Sequence, residues 1–129
     1  MVNTQNAIII YRNFLNEILK NEQWYKNTMP FISATLLYGS VANGTNREDS
    51  DIDILLITPL EIEEKYTIGE YYYDYEDYTI NIVLRSIEGL RIIAIQNNDV
   101  FQKEVFRNAI TISSSDDEVK NLLFQIKKI

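Results

Sequence analysis

Residues 36–57 constrain this chain more than any other stretch. The apolar run Leu36-Leu37-Tyr38 ends in Gly39-Ser40, ten residues follow, and a second apolar run, Ile52 to Ile57, opens around two carboxylates, Asp51 and Asp53. Residues two apart on a strand share a face, so Asp51 and Asp53 project together while Ile52 and Ile54 turn the other way into apolar packing. With a rise of about 3.3 Å per residue the two acids start about 6.6 Å apart, within reach of one hard cation or a pair of them. Unpaired and side by side they repel each other. A divalent ion such as Mg²⁺ relieves the repulsion, because it takes oxygen ligands from one or two carboxylates together with substrate phosphates.

The Gly-Ser end complements the carboxylates. Gly39 follows an apolar strand and lets the backbone turn sharply or approach a ligand closely, and Ser40 is predicted to cap a short helix that Gly44 ends. Free N–H groups at such a helix start favour phosphate. One end of the stretch therefore suits a triphosphate and the other its metal.

Gly39-Ser40, the ten-residue spacing, and Asp51-Ile52-Asp53 with Ser50 ahead of it resemble the signature of the DNA polymerase β-like nucleotidyltransferase superfamily. The resemblance implies an α+β fold, a mixed central sheet flanked by helices, as a single nucleotidyltransferase domain over residues 1–129. It also implies Mg²⁺-dependent transfer of a nucleoside monophosphate, AMP from ATP, to a hydroxyl acceptor. Gly39 and Ser40 become nucleotide-binding residues, and Asp51 and Asp53 become catalytic residues that hold one Mg²⁺ or two.

The compact length resembles minimal members of the superfamily, among them the antitoxins paired with HEPN-type ribonuclease toxins. The acceptor implied is then a tyrosine on the partner toxin. Two other readings stay open: a weakened module that binds and masks a HEPN-type ribonuclease, and a modifier of a small-molecule antibiotic. Larger relatives hold the acceptor on an additional domain, which a chain of 129 residues is not expected to carry. A partner protein, or a second copy in a homo-oligomer, is expected to hold it instead.

Two positions depart from the family pattern. A third carboxylate commonly lies on the strand beside the Asp-x-Asp strand, and the best match here, Ile80-Asn81-Ile82-Val83, puts Asn81 at that position. An amide can accept a hydrogen bond or offer one carbonyl to a metal, but it brings no charge and cannot act as a general base. Asp77 has the same strand parity and substitutes only if the strand extends that far. Many relatives also carry an arginine before the glycine, where this chain has Asn43; Arg47 is the nearby cation.

Composition narrows the chemistry further. With no cysteine and no histidine, thiol nucleophiles, disulfides, imidazole catalysis and Cys- or His-ligated metals are excluded. A net charge of −7 disfavours broad electrostatic binding to nucleic acid. No apolar run approaches the length of a membrane helix and no signal-type segment opens the chain, so a cytoplasmic location is expected.

The remaining segments supply a frame. Apolar positions Ala7, Ile8, Tyr11, Phe14, Leu15, Ile18 and Leu19 recur with helical period over residues 3–20, with Asn3 or Thr4 as cap. Trp24 and Tyr25 are expected to pack that helix onto the domain. Strands are predicted over residues 33–38 and 51–58, where Pro59 stops the ladder, followed by a short helix over 60–65. The tyrosines from Tyr71 to Tyr78 read as a hairpin bending near residues 74–77, with stacking on a base as the alternative use. Ser86 and Glu88 open a helix over 87–96, Asn97-Asn98-Asp99 restarts the chain into a second helix to Arg107, and Ala109 to Ile112 reads as a last strand. Ser113-Ser114-Ser115 is expected to cap a terminal helix whose stripe, Val119, Leu122, Leu123 and Ile126, covers the core or meets a partner.

Overall fold

A computed structural model describes residues 2–47, 50–66, 71–95 and 100–127, with side chains outside the description at 100–103. Gln96, the Asn97-Asn98-Asp99 break, Val100 and Phe101 as face-setting side chains, Glu48, Asp49 and Lys128 lie outside what can be compared. Helix α1 (Thr4–Glu17) starts at Asn3, whose side chain accepts from the Asn6 N–H at 2.8 Å. Short turns lead through α2 (Gln23–Thr28) into β1 (Ala34–Tyr38), α3 (Gly39–Asn43), β2 (Ile52–Thr58) and α4 (Leu60–Tyr66). Then come β3 (Tyr71–Tyr75), β4 (Tyr78–Ser86), α5 (Ile87–Ile95), α6 (Val100–Arg107), β5 (Ile110–Ser114) and α7 (Asp117–Lys127).

The strands form one mixed sheet in the order β3-β4-β2-β1-β5. β2 runs parallel to β4, while β1 is antiparallel to both β2 and β5 and β3 is antiparallel to β4. The central strands read as near-continuous aliphatic runs because helices cover both faces. One face buries Leu37, Ile52, Ile54, Leu56, Ile80, Ile82 and Leu84 against α1 and its neighbours through Ala7, Tyr11, Phe14 and Leu19. The other buries Leu36, Leu55, Ile57 and Val83 against α5, α6 and α7 through Leu90, Phe106, Val119, Leu123 and Ile126. Each such aliphatic side chain contributes about 1.5–3 kcal/mol on burial.

Helix ends show where local chemistry and tertiary contacts divide the work. Ser86 accepts from the Gly89 N–H at 2.9 Å and opens α5 as predicted. Glu88 reaches across to accept the Leu60 N–H at 2.8 Å, capping α4 from another segment. The terminal helix is capped by Asp116, which accepts from the Glu118 N–H at 2.8 Å, and not by a serine hydroxyl. Ser114 is turned to the Asp116 carbonyl instead. The apolar stripe of α7 is buried in the second core, so it covers the domain rather than facing a partner.

The tyrosine-rich hairpin packs inward. Trp24 stacks on Tyr71 at 3.9 Å between ring centroids and donates Nε1–H to the Tyr73 hydroxyl at 2.7 Å. Phe14 meets both Tyr73 and Tyr75, at 5.1 and 5.5 Å. The Tyr75 hydroxyl donates to Glu17, at the end of α1. These rings fasten α1 and α2 to the edge of the sheet. The turn between the strands is Glu76-Asp77, with Glu76 in the left-handed region at φ 54°.

Candidate active site

The two halves of the sequence motif meet at one end of the sheet, where β1 finishes, β2 begins and β4 has just started. Tyr38 lies opposite Asp53 in the antiparallel β1/β2 register, and Asn81 lies opposite Asp53 in the parallel β2/β4 register. Asp53 shares its face with Leu55 and Ile57, and Tyr38 packs against that same core. Ile52 and Ile54 are fully buried on the opposite face, which fixes the strand register and so the direction of Asp53. Asp51 precedes the first paired residue of β2 by one position and is half-buried.

Gly39 fits Asp53 closely. Its φ is +74°, and a Cβ placed there would lie 2.3 Å from Asp53 Oδ2 and 3.1 Å from its Cγ. Glycine is therefore required twice, once by the left-handed backbone and once by the space the carboxylate occupies. On the other side Asn81, 7% exposed, donates its amide Nδ2–H toward Asp53 Oδ1 at 3.5 Å. The Asp53 carboxylate is held between a backbone and an amide.

Ser40 sits in the first turn of α3. The N-cap is Tyr38, with no side-chain hydrogen bond at the cap, which corrects the expectation that Ser40 caps this helix. The helix begins one residue earlier than predicted, at Gly39, whose left-handed backbone at φ +74° makes the turn out of β1. Gly44, at φ 74°, ends α3 as expected, with the Thr45 N–H returning to the Ser40 carbonyl at 3.0 Å. Asn46 ties the following loop to the Val2 carbonyl at 2.8 Å.

Ser50 acts on the backbone. Its hydroxyl accepts from the Arg47 N–H at 2.7 Å and its own N–H donates to the Arg47 carbonyl at 3.2 Å, closing a turn immediately before Asp51. Arg47 itself is exposed. Asp77 belongs to the hairpin turn outside β4, about 13 Å of strand away from Asn81. That excludes it from Asn81's place.

Among the described residues no three of His, Cys, Asp and Glu gather as a metal-holding group. The oxygen donors present are two carboxylates, with space cleared for one of them by Gly39. That donor set suits a hard divalent cation shared with phosphate oxygens, and Asp51 and Asp53 are the residues that would hold it. A surface cavity of about 310 Å³ lined by Asn27, Phe31, Ile62 and Lys65, among others, lies at the opposite end of the sheet and adds nothing to this site.

Ionisation is perturbed at the aromatic edge. Burial pushes the Tyr73 hydroxyl up to about 12, and the hydrogen bond to Glu17 does the same for Tyr75. No described helix is long and apolar enough to cross a membrane.

The strand-turn-helix of β1 and α3 thus seats Asp53 against Gly39, beside the parallel strand β4. Residues 13–118 match the family described as polymerase beta, nucleotidyltransferase, and the chain belongs to that family. A solved nucleotidyltransferase-like protein from Exiguobacterium sibiricum 255-15 is similar in fold, with a TM-score of 0.60 at 13% sequence identity. The likeness covers 93% of this chain and 38% of that one. No curated protein matches the chain in sequence.

Proposed function

We propose that the chain transfers AMP from ATP to a tyrosine hydroxyl on a partner protein, in the manner of an antitoxin acting on a HEPN-type toxin. The observation that carries the transfer reading is the seating of Asp53 against Gly39: the two halves of the motif form one constellation. Asp51 and Asp53 hold the metal, and Ser40 with the backbone of the first turn of α3 receives the β- and γ-phosphates. A divalent cation such as Mg²⁺, when bound there, stabilises charge on the triphosphate and on departing pyrophosphate. The acceptor oxygen bonds to the α-phosphorus, the bond from that phosphorus to the β-bridging oxygen breaks, and pyrophosphate leaves with its electron pair.

The acceptor proton needs a destination. Asn81 cannot take it, so the proton passes to solvent and the acidity of the acceptor itself matters. A phenol, with a pKa of about 10, ionises far more readily than an aliphatic alcohol. That supports tyrosine as the acceptor class.

Asn81 also favours a second reading, a module that keeps the fold and masks a HEPN-type ribonuclease without chemistry. Incubation with Mg²⁺ and ATP labelled at either the α- or the γ-phosphate, with cell extract as the source of acceptor, separates the two. Transfer predicts protein labelling from the α-phosphate alone, lost in Asp53→Asn. Labelling that survives in the variant, or none with either label, overturns the transfer reading.

A further inference from the structure

We infer that Tyr72 is a modification site of the chain's own chemistry: its hydroxyl stands on the acceptor side of the site and takes AMP from ATP bound in the same chain. The inference rests on the proposed nucleotide site and adds an acceptor within the chain to the one on a partner.

The sheet register carries it. Asp53 lies opposite Asn81 in the parallel β2/β4 pair, and Asn81 lies opposite Tyr72 in the antiparallel β4/β3 pair. Residues directly opposite one another project from the same face of a sheet, so Tyr38, Asp53, Asn81 and Tyr72 form one row across four strands. The other tyrosines of β3 point away from that row. Tyr71, Tyr73 and Tyr75 pack into the core beneath α1, whereas Tyr72 is 58% exposed. β3 therefore turns one phenol to the face that carries the carboxylates.

The direction of the displacement gives the row a use. In phosphoryl chemistry the attacking and leaving oxygens lie roughly in line through the phosphorus. With the β- and γ-phosphates at Gly39 and Ser40, on the β1 side of Asp53, pyrophosphate departs toward β1 and the attacking oxygen arrives from the side of β4 and β3. Adjacent strands lie about 4.8 Å apart, which sets the Cα of Tyr72 about 10 Å from that of Asp53. A tyrosine side chain is long enough to span one strand spacing, so a ring leaning over Asn81 carries its hydroxyl toward the α-phosphorus of a nucleotide held at Asp53. Asn81 is uncharged and does not repel a phenolate above it, as a carboxylate there would. An acceptor on the same chain also needs no separate encounter.

The step balances with ATP as the only co-reactant. The Tyr72 phenol oxygen bonds to the α-phosphorus, the bond from that phosphorus to the β-bridging oxygen breaks, pyrophosphate leaves with its electron pair, and the phenol proton passes to solvent.

Mass spectrometry of the full chain, purified and incubated with MgCl₂ and ATP, tests this, with peptide fragmentation to locate the modified residue and calorimetric titration of ATP alongside. A gain of one AMP per chain is expected, on Tyr72, at a rate per chain unchanged by tenfold dilution, and absent in Tyr72→Phe and in Asp53→Asn. Tyr72→Phe is expected to bind ATP with Mg²⁺ as the unaltered chain does, since only the acceptor oxygen is lost. AMP on another residue instead, AMP still gained by Tyr72→Phe, or a rate per chain that falls in proportion to dilution overturns the inference and leaves the nucleotide site standing. So does an unmodified chain that binds ATP with Mg²⁺. An unmodified chain that binds no ATP overturns the site itself, and the inference with it. Should Tyr72→Phe lose its fold by circular dichroism, the location of AMP in the unaltered chain decides alone.

Discussion

The tyrosine-rich edge and the carboxylate mouth both place polar atoms at the rim of the same sheet, and they are built to opposite ends. At the edge, three hydroxyls are turned to the protein: Tyr71 to the Tyr66 carbonyl, Tyr73 to the Trp24 indole, Tyr75 to Glu17. At the mouth, Gly39 makes room for a carboxylate and Asn81 steadies it, while Asp51 stands beside it with like charge. Groups that stabilise the fold are paired with complementary groups. The mouth gathers like charges at a place where a helix begins, an arrangement that suits a ligand and does little for the fold.

That contrast can be broken in either direction. Asp53→Asn is expected to reduce nucleotidyl transfer at least about 100-fold, equivalent to about 2.7 kcal/mol in the barrier, while thermal unfolding stays unchanged or rises as repulsion is relieved. Trp24→Ala is expected to do the reverse. Loss of the stack on Tyr71 and the bond to Tyr73 costs about 3 kcal/mol of stability, measured by denaturant unfolding, with Mg²⁺-dependent ATP binding retained below the transition.

Gly39→Ala sharpens the comparison because this residue serves both purposes. The added Cβ forces Asp53 aside and strains a left-handed backbone, so stability should fall by about 2 kcal/mol and nucleotide binding should weaken in the fraction that remains folded. A fully stable variant with normal binding would show that the close seating of Asp53 is not needed.

The smallest expected effect is the pH response of the edge. Tyr73 and Tyr75 hold their protons more tightly when folded, at about 12, than at the ordinary value of 10.0. Their contribution is complete below pH 10 and is lost as pH rises from 10 toward 12. Denaturant unfolding at pH 8 and at pH 11 should show that decline, and Tyr75→Phe should lessen it.

Much of this arrangement was legible because local signals and burial agree. The Asn3 cap, the αL glycine at 44 and the alternation around Asp53 follow from short-range rules that the fold does not override, while the place of Asn81 beside Asp53 was implied by the family resemblance. The Gly39–Asp53 contact was not legible. It depends on β1 and β2 being antiparallel neighbours, and nothing within either segment announces that a carboxylate fills the glycine's missing side chain. The Ser40 and Ser113–115 caps were displaced for a similar reason, since Gly39 turns one residue early and Asp116 is better placed to receive the Glu118 N–H. Trp24 was expected to pack, but its partner on β3 lies 47 residues away in the chain.

The central claim is that Asp51 and Asp53 hold a nucleotide through a divalent cation. Calorimetric titration of ATP and GTP, with and without Mg²⁺, into the chain and into its Asp51→Asn/Asp53→Asn variant tests it most directly. The account predicts heat of binding with ATP only when Mg²⁺ is present, and none in the variant. Equal binding by the variant, or no binding by the unaltered chain, would contradict it.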